Sequence, residues 1–281
     1  MKCLIFCFTL LYTSLSCTAT ASEKTTVFKN YDFKNFQQIK ITSKLKEISG
    51  LANSNDGNLF AINDETGIVY KINPLNGDLI KRFFLGRWTA EADFEGIATT
   101  EQFIYAISSN GKLYKFEEGI DEQSIEYEVK NLPFSSKFDV EGLYHDIELN
   151  GLLITPKEYA GKNYKGKRSI YFFSIKDAKV VKEPLITISL KKLKKEFNVK
   201  DFYPSGITKH PKTGNYLIVS ARGDNVIVEV DRSGNIVGTQ KLKESVHRQP
   251  EGITVLPDYS LLISDEAAGK KPTITLYKYI K

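Results

Sequence analysis

The sequence has no sulfur-containing residue after Cys17. Residues 18–281 contain no cysteine, because the chain's three are Cys3, Cys7 and Cys17. This absence excludes a disulfide framework, a thiol nucleophile and a cysteine metal site in that part of the chain. Histidine is also scarce, and its spacing does not fit a zinc site. The three histidines are His145, His210 and His247.

Long hydrophobic runs are missing as well, except at the start. "CLIFCFTLLYTSL", at 3–15, is too short for a transmembrane helix and is typical of the apolar region of a secretory signal. The small residues "ATA" at 19–21 predict cleavage before Ser22. We therefore expect a signal peptide over 1–21 and an exported protein in the periplasm or cell envelope.

A second interpretation of this leader stays open. "SLSC" at 14–17 approaches a lipoprotein signal, in which Cys17 would be lipidated. A lipid on Cys17 would be the one expected membrane attachment of the protein. The leucine stands one position later than that pattern requires, which favours plain secretion.

The chain has no strong excess of charge of either sign. Its net charge is +5, and Lys2 is the only charged residue in 1–21, so the remainder carries +4. The one dense lysine cluster, "LKKLKKEFNVKD" at 190–201, is typical of a solvated helix face or loop. Export and the lack of a nucleic-acid-binding motif argue against nucleic acid as a partner.

A short motif, a branched apolar residue preceded by glycine and often by a carboxylate, recurs along the chain. Its glycines are spaced 46, 46, 64 and 46 residues apart, and they are Gly50, Gly96, Gly142, Gly206 and Gly252. A repeat of this length with several short Val-, Ile-, Tyr- and Phe-rich segments is typical of a β-propeller blade of four antiparallel strands.

The repeats predict an all-β fold, a single five-bladed propeller over residues 22–281. The last repeat has three strands, and "FQQIKITS" at 36–43 is expected to supply its outermost strand and close the ring. A sixth blade would have to fit within 24–45, which is too short. The expected blades lie near 46–92, 93–138, 139–202, 203–248 and 249–281, the last completed by 36–43.

The glycine of the motif has a simple structural explanation, because blades crowd around the axis and leave no room for a Cβ. That explanation does not cover the carboxylates. In a propeller, the start of the innermost strand and the end of the second strand lie on the same face of the disc. Several carboxylates are therefore expected at one mouth of the channel: Glu95, Glu141, Glu251, Asp64, Glu65, Glu158, Asp265 and Glu266, with Glu47, Asp93 and Asp139 nearby.

Such an acidic ring predicts a hard divalent cation, Ca²⁺ before Mg²⁺, with oxygen ligands. The alternative is that these carboxylates form ion pairs with basic residues of the same face, namely Lys157, Arg222 and Arg248. Caps of turns are a further alternative.

The motifs together resemble the SdiA-regulated, or YjiK-like, family of bacterial envelope proteins. The resemblance rests on "EISGLA", "LFAINDETG", "DFEGIA", "VEGLYHD", "PSGITKHPKTGNYLIVSA" and "PEGI…LLISDE", and runs from about residue 40 to the C-terminus. It implies a five-bladed propeller distantly related to NHL-repeat proteins, with a calcium site and no established activity.

Two functions remain open from the sequence. The first is a monomeric binding module of the envelope, whose acidic face holds a small molecule or a protein. The second is a calcium-dependent hydrolase, such as a lactonase, phosphodiesterase or esterase, with its site at the channel mouth. In either case the expected ligand-binding residues are Arg222, Arg248 and His247.

Overall fold

The computed structural model describes residues 25–280, and the expected signal peptide over 1–21, with Cys17, lies outside them. The first strands are β1 (Gln37–Lys40), β2 (Ile48–Asn53), β3 (Leu59–Asn63), β4 (Ile68–Ile72), β5 (Leu79–Leu85), β6 (Phe94–Thr99), β7 (Ile104–Ser108), β8 (Lys112–Phe116), β9 (Ser124–Ile125), β10 (Tyr127–Asn131) and β11 (Val140–Asp146). The others are β12 (Gly151–Pro156), β13 (Lys167–Ser174), β14 (Lys179–Val180), β15 (Ile186–Ser189), β16 (Phe202–Lys209), β17 (Tyr216–Gly223), β18 (Val226–Val230), β19 (Ile236–Lys241), β20 (Pro250–Val255), β21 (Leu261–Asp265) and β22 (Thr273–Tyr277).

These strands form five sheets, which confirms the predicted five-bladed propeller. The innermost strands are β2, β6, β11, β16 and β20, and each contacts the innermost strand of the next blade until β20 returns to β2. Within each blade the strands run antiparallel from the axis outward, as their pairing registers show.

The hydrophobic core is divided into five clusters, one between each pair of neighbouring blades. In β3, Leu59 and Ala61 pack toward the last blade, whereas Phe60 and Ile62 pack toward the second. Because both faces of the inner strands are covered, their sequences are continuously apolar rather than alternating. The same arrangement at all five boundaries holds the ring together without disulfides.

The N-terminal strand closes the ring as predicted. β1 pairs antiparallel with β22, and Ile39 of β1 is opposite Ile274. The preceding residues also dock on the fourth blade, where the buried carboxylate of Glu229 accepts hydrogen bonds from Thr26 Oγ1 at 2.6 Å and from Val27 N at 2.9 Å. The outer edge of the last blade is therefore paired.

Two outer strands differ from a simple repeat. In the segment 124–131, β9 pairs parallel with β5 of the first blade, whereas β10 pairs with β8 of the second. In the third blade, β14 and β15 pair with opposite ends of the long strand β13.

The lysine-rich segment forms helix α1 (Leu190–Phe197), between the third and fourth blades. Ser189 caps its N-terminus, Asn198 ends it in a left-handed conformation, and Leu193 is its buried anchor. In residues 25–280, no helix combines the length and the apolar character that crossing a membrane requires.

Candidate functional site at the acidic mouth of the channel

Every innermost strand contains a β-bulge at the residue before the repeated glycine. In β6, for example, Phe94 pairs with Ser108 and Gly96 with Ile107, so Glu95 has no partner across the strand. A bulge turns an extra side chain away from the regular ladder, here at the start of the strand. The bulge residues of the five blades are Ser49, Glu95, Glu141, Ser205 and Glu251.

The glycines are required because the next blade approaches too closely for a side chain. A Cβ on Gly96 would lie 2.7 Å from the carbonyl oxygen of Glu141, and a Cβ on Gly50 would lie 2.9 Å from the nitrogen of Ile97. Backbone atoms cannot move aside as a flexible side chain could. The repeated motif thus has two parts. The bulge directs the residue before the glycine away from the regular ladder, and the glycine lies where two neighbouring blades approach most closely.

The end of the second strand is tied to the start of the first by a repeated backbone hydrogen bond. Asp64 N donates to the carbonyl of Glu47 at 3.2 Å, and Lys157 N donates to the carbonyl of Asp139 at 2.8 Å. Glu266 N does the same with Gln249, at 3.1 Å. These bonds bring side chains from both strands to one mouth of the channel, which we call the acidic mouth.

The glutamates of the bulges are buried near the axis. Glu141 is 1% exposed and Glu251 is 7% exposed. Glu95 and Glu251 line a narrow cavity of about 10 Å³ together with Ser49 and Ser205. Burial of these carboxyl groups close to one another disfavours their ionised forms.

The pKa values of these glutamates are accordingly raised. Burial, followed by the charges of Glu141, Asp93 and Glu251, raises the pKa of Glu95 to about 10. Burial likewise raises the pKa of Glu251 well above its ordinary value. Burial also raises the pKa of Glu141, but the charge of Lys157 offsets part of this effect, and the resulting pKa is about 7.

Lys157 is the basic residue at the centre of this group. Its Nζ forms an ion pair with Glu141 Oε1, and its side chain is 24% exposed. Its charge also lowers the pKa of Glu95, Glu251 and Glu266 relative to what burial alone would produce. The positive charge of Lys157 therefore partly offsets the effect of burial on the pKa values of four glutamates.

A second group of carboxylates lies at the rim of the same mouth. Glu47, Asp64 and Glu65 each offer an oxygen, and the three oxygens lie within 4.8 Å of one another. Among residues 25–280 this is the one set of three or more acidic, histidine or cysteine side chains that converges so closely. Asp64 Oδ1 is buried and has no hydrogen-bond partner in the described structure.

Electrostatic interactions connect the rim group with the axial glutamates. Burial and the charges of Glu47, Glu65 and Asp93 raise the pKa of Asp64 to about 6. Burial and the charges of Asp64 and Glu47 raise the pKa of Glu266 to about 7, and Glu266 in turn acts on Glu251. The acidic mouth is one continuous cluster.

Glu158 and Arg248 lie outside the acidic cluster. Glu158 is exposed and forms an ion pair with Arg222 at 2.5 Å, apart from the cluster. Arg248 is exposed and donates to the carbonyl of Ala268 at 3.4 Å. The expectation that both arginines meet the carboxylates on the same face is therefore met by Arg222 alone, and at the periphery.

His247 differs most from the expectation. The sequence places it near the mouth as a ligand-binding residue, but its ring is completely buried between Asp265 Oδ2, at 2.8 Å from Nδ1, and Tyr277 OH, at 2.6 Å from Nε2. With both nitrogens engaged, the ring has no free group for a ligand. The carboxylate of Asp265 likewise interacts with His247 inside the blade.

The fold and the site define a class of protein: a five-bladed β-propeller with a cluster of carboxylates at one mouth of its channel. The sequence matches the SdiA-regulated family model over residues 23–268, and the chain belongs to that family. No curated protein matches the sequence.

Solved structures with the same fold are distant in sequence. Glutaminyl cyclase from Myxococcus xanthus is 12% identical, with a TM-score of 0.57 over 86% of this chain and 94% of that one. A luciferin-regenerating enzyme is also 12% identical, with a TM-score of 0.56 over 87% and 95%. A streptogramin B lyase, 12% identical, has a TM-score of 0.50 over 91% and 100%. Identities this low show the fold alone.

Proposed function

We propose that this protein is an exported, calcium-binding propeller of the cell envelope whose acidic mouth holds a small-molecule or protein ligand. Two observations carry the proposal: one carboxylate oxygen each of Glu47, Asp64 and Glu65 lies within 4.8 Å of the others, and Asp64 Oδ1 is buried without a hydrogen-bond partner among the described residues. A buried carboxylate oxygen without a hydrogen bond is costly, and a cation removes that cost. Export is the expectation from the leader.

The residues present fit a hard divalent cation. All the available side-chain donors at the rim are carboxylate oxygens, which Ca²⁺ and Mg²⁺ prefer over softer metals. Calcium is the better candidate because it accepts irregular sets of six to eight oxygen ligands, and the rim offers a rather irregular set from two loops. Glu47, Asp64 and Glu65 would hold the ion, with Glu266 next to them.

A bound cation would supply positive charge to a site whose repulsion is only partly balanced by Lys157. It would also order the two segments that meet at the rim, since Glu47 precedes β2 and Asp64 follows β3. An ordered, partly neutralised mouth is suited to a ligand with carboxylate, phosphate or carbonyl oxygens. The axial glutamates would then keep the floor of the site acidic.

Thermal unfolding tests this proposal. The wild type, Asp64→Asn and Glu158→Gln are compared in chelator and in millimolar CaCl₂. We expect calcium to raise the Tm of the wild type, because an ion that binds only the folded state stabilises it. Glu158→Gln, whose carboxylate lies outside the cluster, should show the same rise, and Asp64→Asn should lose it. The same Tm in chelator and calcium for the wild type would refute the proposal.

A calcium-dependent hydrolase is the second candidate, and one observation favours it. Glu141 and Glu266 have pKa values raised to about 7, which is suited to proton transfer near neutral pH. Turnover of lactone, phosphodiester or aryl-ester substrates that is lost in Glu266→Gln and in chelator would support this candidate. A calcium-dependent Tm without turnover would favour the binding module.

A further inference from the structure

The channel has a second mouth on the opposite side of the disc. There the innermost strands end around a cavity of about 200 Å³. Its lining includes at least one residue from each blade, and the polar ones are Asn53, Thr99, Tyr144, His145, Thr208 and Thr254. We call it the neutral mouth, because none of its lining residues is Asp, Glu, Lys or Arg.

An apolar collar separates the two mouths. Leu51, Ile97, Leu143 and Ile253 line both the cavity of the neutral mouth and the narrow channel behind it. The narrow part, about 10 Å³, is at the lower limit for a single water molecule. A ligand in the neutral mouth would therefore rest on an apolar floor, isolated from the acidic cluster.

The polar groups of the neutral mouth are placed by the fold. Asn53 Nδ2 donates to the carbonyl of Val255 at 2.8 Å, which fixes the amide and leaves its Oδ1 buried without a hydrogen-bond partner among the described residues. Thr99 Oγ1 donates to the carbonyl of Asn53 at 2.6 Å, linking the first two blades. A buried acceptor left open in this way is satisfied best by a donor from a bound molecule.

His145 supplies a second acceptor. Burial lowers the pKa of its imidazole, which favours the neutral form of the ring. A neutral imidazole carries one N–H and one acceptor nitrogen. The hydroxyl groups of Thr208 and Thr254 form no side-chain hydrogen bond to another residue in 25–280, although both residues are at least 96% buried. They can adapt to either a donor or an acceptor.

We propose that the neutral mouth is a binding site for a small uncharged molecule that donates hydrogen bonds from one edge and is apolar on its other face. The unpartnered Asn53 Oδ1, together with the acceptor nitrogen that a neutral His145 carries, favours N–H or O–H donors, and the lack of charged lining residues disfavours ions. The cavity of about 200 Å³ has room for a small organic molecule. Ile147, 71% exposed at the rim, adds apolar contact for the part of the ligand nearest the solvent.

Protein-observed NMR with two matched probes tests the proposal. Benzamide carries an N–H₂ donor, whereas N,N-dimethylbenzamide has the same ring and carbonyl without a donor. We expect millimolar benzamide to shift the resonances of His145 and Thr208 and dimethylbenzamide to bind much more weakly. The titrations are run in chelator, so the result does not depend on the cation proposed at the acidic mouth.

Variants locate the binding. Thr208→Val keeps the shape and removes the hydroxyl, and should weaken benzamide about fivefold, while His145→Phe should weaken it about tenfold. Glu158→Gln, which is exposed and outside both mouths, should bind as the wild type does. Unfolding curves show whether each variant is folded. Equal binding of the two probes, undiminished binding by both folded variants, or no benzamide binding at millimolar concentration would overturn the proposal.

Discussion

Lys157 and Glu141 form an ion pair on the axis side of the third blade, where Glu141 is 1% exposed. The lysine follows β12 and the glutamate occupies the bulge of β11, so the fold itself brings them together. Replacing Lys157 with methionine should destabilise the protein by about 3 kcal/mol, because it leaves a buried carboxylate without its partner. Urea unfolding at pH 7 measures this loss.

A second substitution separates the ion pair from packing. Glu141→Gln in the Lys157→Met background removes the uncompensated charge and should recover most of the lost stability. If the double variant is as unstable as Lys157→Met alone, the loss comes from the packing of the lysine stem and the electrostatic account of the mouth is wrong.

The acidic cluster predicts a specific dependence of stability on pH. The pKa of Glu266 is raised from 4.5 to about 7 in the folded protein, so the folded state binds its proton more tightly than the unfolded chain does. Its stabilising contribution is complete below about pH 4.5 and is lost as the pH rises through 7. In chelator, Glu266→Gln should therefore gain stability relative to the wild type between pH 5 and pH 8.

Glu158→Gln is the matched control for this titration. Glu158 pairs with Arg222 outside the cluster and should show no such gain over the same pH range. A stability difference between Glu266→Gln and the wild type that stays constant from pH 5 to pH 8 would show that the raised pKa is incorrect.

The repeated glycines predict a steric effect. Gly96→Ala should destabilise the propeller by about 3 kcal/mol, because its methyl group would meet the backbone oxygen of Glu141 at 2.7 Å. Gly57→Ala is a useful comparison, since nothing lies within 4 Å of its Cβ position and only its positive φ of 83° is unfavourable. That variant should lose about 1 kcal/mol. Equal losses would mean that the blades do not approach as closely as described.

These glycines also explain why the fold was predictable. Each glycine lies at the contact between two neighbouring innermost strands, and this contact occurs once per blade. The number of blades therefore follows from the number and spacing of the glycines in the sequence. The location of Glu95 and Glu251 at the same mouth follows too, because every innermost strand starts on that side. The bulge itself is not predictable from the repeat, because all five repeats contain the residue before the glycine and none lacks it for comparison.

Other side chains were not predictable because their directions depend on partners distant in sequence. His247 is buried because Asp265 and Tyr277, on two later strands, engage both its nitrogens. Glu158 lies two residues after the end of β12, where the chain leaves the sheet and its carboxylate pairs with Arg222 of the next blade. Periodicity predicts which end of a strand a residue occupies, but not which neighbour its side chain meets.

Closure of the ring by β1 predicts the effect of a charge in that strand. Ile39 is 6% exposed, whereas Lys40 is exposed. Ile39→Asp should cost about 3 kcal/mol through the burial of an unpaired carboxylate and should promote aggregation through the freed edge of β22. Lys40→Asp, on the same strand, should be close to neutral. Thermal unfolding and light scattering compare the two, and equal behaviour would argue against this closure.

The most direct measurement is an anomalous difference map from a crystal of the protein grown or soaked in calcium. The account predicts one strong peak at the rim of the acidic mouth, bounded by carboxylate oxygens of Glu47, Asp64 and Glu65, and its loss in Asp64→Asn. A map without a peak at that mouth in the wild type, or with its peak on the opposite side of the disc, would contradict it.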